Sequence, residues 1–250
     1  MLVANPKGHY HFLRGVDPYS SGVIADPGHE IVHVTLREPL SWRRGFDFIE
    51  SHLKQVNRDR HALCGVELRC PAPFTIEGFT DFNRTYCEIL KKWDLYVLDM
   101  NPIARTNVAP LFSPPQEVSL HAFSYTIPQE GGQTISTLVI AGGGEFREGV
   151  LENEAIIRFG ETEPDAILEK ASYVMKVMEE RLHGLGARWD LLNTVGVYTV
   201  HSLDGVAEDV ILSRLGPARR HGLQWHHTRP PVKNIEFEMD MRGVRQELFC

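Results

Sequence analysis

The stretch Thr194-Val195-Gly196-Val197-Tyr198-Thr199-Val200 is a β-branched run, and it follows an amphipathic stripe in which Ile167, Leu168, Ala171, Val174, Met175, Met178 and Leu182 recur at helical spacing. Thr162, with Asp165 three residues on, predicts the N-cap of that helix, and Gly184 predicts its C′ stop. Residues 207–215 then predict a second helix, and residues 222–239 an extended pair. The first half of the chain has the same order. A helix beginning at Ser41 carries Phe46, Ile49, Leu53 and Val56 on one face, and residues 63–68 follow as a strand. Beyond Pro71 and Pro73 a second helical face runs through Phe79, Phe82, Tyr86, Ile89, Leu90 and Trp93. The chain then turns extended over 104–108 and 118–125. A strand also precedes the first helix of each half, at 31–36 and at 137–141. Strand, helix, strand, helix, strand, strand therefore appears twice at an offset of roughly 115 to 130 residues, and duplication explains it most economically. The expected fold class is α+β, with each half a mixed sheet covered on one face by two helices. The turn-rich stretch Thr126-Ile127-Pro128-Gln129-Glu130-Gly131-Gly132-Gln133 marks the join, giving expected domains of 1–126 and 127–250.

The chain has 250 residues, of which 42% are hydrophobic and 24% charged, with a formal net charge of −7. These values exclude a disordered, collagen-like or coiled-coil protein. The acidic balance, with no lysine-rich run, offers no footprint for a phosphate backbone or an anionic bilayer, so neither nucleic acid nor membrane is expected as a partner. No apolar run approaches the roughly 20 residues needed to cross a bilayer, and the opening residues lack a signal pattern, so a cytoplasmic location is expected. Cys64, Cys70, Cys87 and Cys250 have no metal or disulfide spacing and read as reduced thiols, with Cys250 exposed.

His29-Glu30-Ile31-Val32-His33 matches the HExxH pattern of zinc peptidases, which requires two histidines about 6 Å apart on one helical turn. Here Pro27-Gly28 makes a turn and the following residues are β-branched. Residues four apart on a strand are separated by about 13 Å, too far to share one ion. No metal is expected. His9 and His11 read as part of a disordered polar N-terminus, and His226 and His227, as neighbours on a strand, point to opposite faces. Gly142-Gly143-Gly144 ends a strand and lets a ligand approach the backbone, but no dinucleotide fingerprint accompanies it. Arg105 and Arg219 each open an extended segment in their half, and an arginine fork suits a carboxylate. Glu236, Glu238 and Asp240 alternate with apolar residues, so they share a face whose default is solvation, though a carboxylate there could orient a water.

Taken together, these pieces resemble the RidA/YjgF family of reactive-intermediate deaminases, present twice in tandem. In the first half the resemblance rests on Asp17-Pro18-Tyr19-Ser20-Ser21-Gly22-Val23, Phe82-Asn83-Arg84-Thr85-Tyr86, Ala104-Arg105-Thr106-Asn107-Val108 and Val118-Ser119-Leu120-His121-Ala122. In the second it rests on Val139-Ile140-Ala141-Gly142-Gly143, Leu185-Gly186-Ala187 with Asp190, and the closing stretch 232–239. It implies a chorismate-mutase-like fold with a ligand cleft between neighbouring domains of a three-fold ring. It also implies a substrate-binding set of Arg105, Tyr19, Asn83, Asn107, Gly143 and Arg219, with Glu238 as the catalytic group that places water. Arginine and tyrosine survive in one half, glycine and glutamate in the other, so the resemblance implies one cleft that draws on both. Three two-domain chains supply two complete rings, which implies a homotrimer; a monomeric tandem that has abandoned the ring is the other arrangement.

The activity implied is a metal-independent, cofactor-free hydrolytic deamination of a small anionic enamine or imine, releasing ammonia and a keto acid. 2-Aminomuconate, from aromatic-compound catabolism, is the implied type of substrate, with Arg219 or Arg229 as a second cation for its second carboxylate. Two alternatives stay open: a chorismatase-like hydrolase, and a non-catalytic carboxylate-binding regulator.

Overall fold

A computed structural model describes residues 1–130, 135–147 and 152–250. In chain order the elements are β1 (Leu2–Asn5), β2 (Tyr10–Leu13), β3 (Gly22–Ala25), β4 (His29–Ser41), α1 (Trp42–Gln55), β5 (Leu63–Arg69), α2 (Ile76–Lys92), β6 (Ala104–Pro110), β7 (Ser119–Pro128) and β8 (Leu138–Gly144). After these come α3 (Pro164–Gly184), β9 (Thr194–Tyr198), β10 (Gln224–His226), β11 (Thr228–Arg229), β12 (Glu238–Gly243) and β13 (Gln246–Phe249). The expected α+β class holds, with two mixed sheets. One runs β1-β2-β3-β8-β12-β9-β10 and the other β11-β6-β5-β7-β4-β13.

Strands cross between the two halves of the chain. β3 pairs antiparallel with β8, placing Gly22 opposite Ile140, and β13 pairs parallel with β4, placing Gln246 opposite Val32. β11 likewise adds to β6. Of the expected join, Thr126, Ile127 and Pro128 end β7, while Gly131, Gly132 and Gln133 lie outside the described residues.

Apolar periodicity explains the layering. Phe46, Ile49 and Leu53 of α1 and Tyr86 and Leu90 of α2 pack with Leu63, Leu68 and Phe123 on the outer face of the six-stranded sheet. Val174, Met175, Met178 and Leu182 of α3 pack with Val195, Val197 and Met239 of the seven-stranded one. Between the sheets, Tyr10, Phe12, Val23, Ile31, Cys64, Ala104 and Ala141 form a third apolar layer. No helix among the described residues is long and apolar enough to cross a membrane.

Several local expectations are corrected. His11 lies on β2, paired with β1, His9 lies in the turn between these strands, and His11 Nδ1 is 2.6 Å from Asp26 Oδ1. Helix α3 begins at Pro164 after Glu163 rather than at Thr162, because proline supplies the fixed φ of a first helical turn. Its left-handed stop falls at Gly186, with φ of +69°, because Gly184 is still helical, where the Leu13 side chain fills the space of a Cβ. The second helix of the second half is a wide π-type turn over Val206–Leu212. The segment around Arg219 is a 3₁₀ turn, Gly216–His221, instead of the opening of a strand. HExxH lies on β4 as expected. His33 is buried with Nδ1 3.0 Å from Ser124 Oγ, and Glu30 accepts from Arg245 and Gln246.

Glu145 and Lys170 form a completely buried ion pair at 3.2 Å. Glu145 also accepts the backbone N–H groups of Glu236 and Phe237, at 2.6 and 3.0 Å, and Lys170 donates to Ile157 O at 2.8 Å. Removing one member strands the other charge in apolar surroundings. Lys170→Met is therefore expected to cost about 3 kcal/mol of stability, measured by urea unfolding at neutral pH. A loss within experimental error would show that Lys170 is not needed to neutralise Glu145.

Candidate functional site

Helix α2 places Phe79, Phe82, Asn83 and Tyr86 at i, i+3, i+4 and i+7, on one face, and that face lies over Arg105 of β6. The result is a caged guanidinium. Its carbon sits 4.7 Å from the ring centre of Tyr86, 5.3 Å from Tyr19, 5.6 Å from Phe79 and 5.7 Å from Phe82. Nη2 donates to Asn83 Oδ1 at 2.7 Å, whereas Nη1 is buried with no hydrogen-bond partner. Burial holds the Tyr86 hydroxyl firmly protonated.

On the other side of that cage lies a cavity of about 640 Å³. One wall comes from loop 14–19 and α2, including Tyr19, Phe79 and Asn83. The other comes from the end of β8 and from α3, including Gly143, Val177 and Arg181. Among the described residues its charged lining consists of Arg14, Arg84 and Arg181 against Asp17, a cationic balance in a chain of net charge −7. Arg181 is buried and donates from Nη1 to the carbonyls of Ala141, at 2.9 Å, and Gly142, at 3.2 Å.

Behind the β8 glycines, Glu238 and Asp240 of β12 enter the space between the sheets. Neither is solvated: each is 5% exposed, which corrects the expectation of a wet sheet face. Glu238 Oε1 occupies the place that a side chain on Gly142 would take. Burial pushes the Glu238 carboxyl well above the usual range, the nearby Asp240 charge adds to this, and Arg181 and Arg105 oppose it. Burial and Glu67 push Asp240 up to about 6. Asp240 Oδ2 accepts from Thr106 Oγ1 at 2.7 Å and from the Tyr198 hydroxyl at 3.0 Å, while Thr106 Oγ1 accepts from Gly142 N–H at 3.1 Å. Burial also works against the charge of Glu67, but His33, Arg69 and Arg242 hold its carboxyl down to about 2.

The expected residues thus separate. Tyr19 and Asn83 line one wall of the cavity and Gly143 the other, Arg105 lies directly behind Tyr19 and Asn83, and Glu238 lies on the far side of the β8 glycines. Asn107 is buried elsewhere on β6, where its Oδ1 accepts from Cys70 Sγ at 2.7 Å. Arg219 is exposed on its 3₁₀ turn, and Arg229 contacts Glu236 at 3.3 Å; neither lines the cavity. The sequence reading missed Arg181 and Lys170. The signal was present, since both fall on the apolar stripe of α3 with Val174 and Met178, at positions where a charge has to find a buried partner.

Over residues 2–248 the chain matches the family of 2-aminomuconate deaminases designated CnbZ. It is 39% identical over 247 residues to a 2-amino-5-chloromuconate deaminase of Comamonas testosteroni, covering 98% of this chain and 97% of that one. The chain belongs to the CnbZ family. The expected likeness to 2-aminomuconate-type deaminases is borne out, and family membership makes it an enzyme acting on C–N bonds. Among solved structures it resembles a chorismatase, at a TM-score of 0.46 and 11% identity, covering 97% of this chain and 79% of that one. It also resembles a Thermotoga maritima protein described as an endoribonuclease, at a TM-score of 0.33 and 18% identity, covering 55% of this chain and 92% of that one.

The Glu238 environment has a consequence for stability. A carboxyl whose folded pKa is raised contributes stability that is fully present below its unfolded pKa and is lost as pH rises through the folded value. Glutamine has no such proton to lose. Relative to the wild type, Glu238→Gln is therefore expected to gain stability as pH rises from 5 to 8, compared by urea unfolding at both values. A pH-independent difference would contradict the burial argument.

Proposed function

We propose that this chain hydrolytically deaminates a carboxylate-bearing enamine or imine of the 2-aminomuconate type, using a cleft to which both halves of the chain contribute. The observation that carries the reading is the pairing of a caged arginine, whose Nη1 has no partner, with a carboxyl that burial pushes toward its protonated form. Arg105 would take the carboxylate next to the amino-bearing carbon by rotation of the Tyr19 and Asn83 side chains that separate it from the cavity. Protonation of the neighbouring carbon by Glu238, across the wall that Gly142 and Gly143 leave without side chains, turns the enamine into an iminium ion and leaves Glu238 ionised. Water then adds to the iminium carbon and gives a proton back to Glu238, leaving a neutral carbinolamine. Collapse of the carbinolamine breaks the C–N bond, and the nitrogen leaves as ammonia. The net change is addition of one water and loss of one ammonia, giving a 2-oxo acid.

The tandem origin of the chain, with domains at 1–126 and 127–250, belongs to the same proposal, as do assembly into a trimer and a cytoplasmic place in aromatic-compound catabolism. The strand order supports an origin by duplication, because β4-β7-β5-β6 in one sheet and β8-β12-β9-β10 in the other place the first, last, second and third strands of each set in the same succession.

Ammonia release from freshly generated 2-aminomuconate tests the reading. Glu238→Gln and Arg105→Lys are each expected to lower kcat/KM by about a hundredfold or more. Wild-type turnover that persists in both variants, or pyruvate release from chorismate in place of ammonia release, would sink it.

A further inference from the structure

Arg219 and Arg229, the cations expected for a second carboxylate, do not reach the cavity. Arg181 does. It is 6% exposed, and its Nη1 bonds to the Ala141 and Gly142 carbonyls hold the guanidinium against the end of β8. A Cβ on Gly143 would lie 2.8 Å from Met178 Cε and 3.1 Å from Arg181 Nη1, so only glycine leaves this wall clear beside the guanidinium. The other arginines of the lining are poorer anchors. Arg84 is exposed and paired with Asp81 at 3.1 Å, and Arg14 is exposed at the rim, where solvent and side-chain entropy weaken any ion pair. A guanidinium already fixed by the backbone loses less freedom on binding and works in a drier setting. Arg105 stands behind the wall made by α2 and loop 14–19, and Arg181 forms part of the wall made by β8 and α3. A ligand filling the space between them meets Arg181 on one side and, once Tyr19 and Asn83 swing aside, Arg105 on the other.

We propose that Arg181 grips the carboxylate remote from the amino-bearing carbon and so selects a dicarboxylate over a monocarboxylate. The inference rests on the deaminase reading of this cavity. The competing role, in which Arg181 only tunes Glu238, moves both kinds of ligand alike.

Two stable six-carbon dienes separate these roles in calorimetric titrations: cis,cis-muconate, with two carboxylates, and sorbate, with one. The wild type is expected to bind muconate at least about tenfold more tightly, the scale of one charge-assisted clamp. Arg181→Met is expected to bring the ratio to about twofold or less, and Arg181→Lys, which keeps a point charge without the fork, to an intermediate value. Thermal melts establish that the variants are folded; should Arg181→Met fail to fold, a severalfold fall in the ratio for Arg181→Lys carries the test. An unchanged ratio, equal weakening of both ligands, or a wild type that does not discriminate overturns the assignment. Ammonia release from 2-aminomuconate by the wild type, measured alongside, keeps the two readings apart. Release without discrimination sinks the inference alone, and absence of release sinks the deaminase reading.

Discussion

The contact between Thr106 and Asp240 joins the two sheets at their most polar point. Thr106 on β6 donates across the interface to Asp240 on β12 while accepting the Gly142 amide of β8, so three strands from two sheets meet on one hydroxyl. Asp240 reaches it because the pairing of β12 with β8 shifts between Met239 and Met241, and because Gly196 opposite has no side chain in its way. A buried carboxylate without such partners is unfavourable. Here it receives two hydroxyls and sits near the Glu67, Arg69 and Arg242 cluster, so the polar interior is held together as a network. The register that brings Asp240 Oδ2 to these two hydroxyls also sets Glu238, two residues earlier on the same face, against Gly142.

That coupling explains why the site lies where the sheets meet. Arg105 and Thr106 are neighbours on β6 and so point to opposite faces. One enters the aromatic cage under α2 and the other crosses to the second sheet. A single strand thus fixes the distance between the guanidinium and the carboxyl pair. The Glu145–Lys170 pair serves the same purpose from the other end, fixing the approach to β12 through two backbone amides.

Local regularities were legible in the sequence. The 3.6-residue stripes of α1, α2 and α3, and the β-branched character that makes HExxH a strand, depend on neighbours within one element. Tyr19, Asn83 and Gly143 came from short motifs and line one cavity from its two sides. What escaped were features set by long-range pairing. Nothing in residues 2–25 announces that they belong beside β8, because an edge strand reads alike whichever sheet receives it. Arg219 matched Arg105 in linear order, yet its segment winds into a 3₁₀ turn after Gly216-Pro217, where a proline cannot donate to a ladder. Arg181 and Lys170 were hidden for the opposite reason: within an amphipathic stripe they looked like breaks in the pattern, when they were its polar contents.

The exchange of strands between the two halves also bears on how the chain is made. β1, β2 and β3 are made early, yet β3 has no lateral partner beyond β2 until β8 emerges more than a hundred positions later, and β4 gains β13 only after every other strand described is made. Such contacts close large loops and are slow to form. The first helices and β5 to β7 can gather early around their own apolar layer, leaving both margins of the six-stranded sheet open until β11 and β13 arrive. An open margin invites pairing with other chains. The short strand β13 therefore covers a vulnerable edge of β4, and its docking is the step that completes the six-stranded sheet.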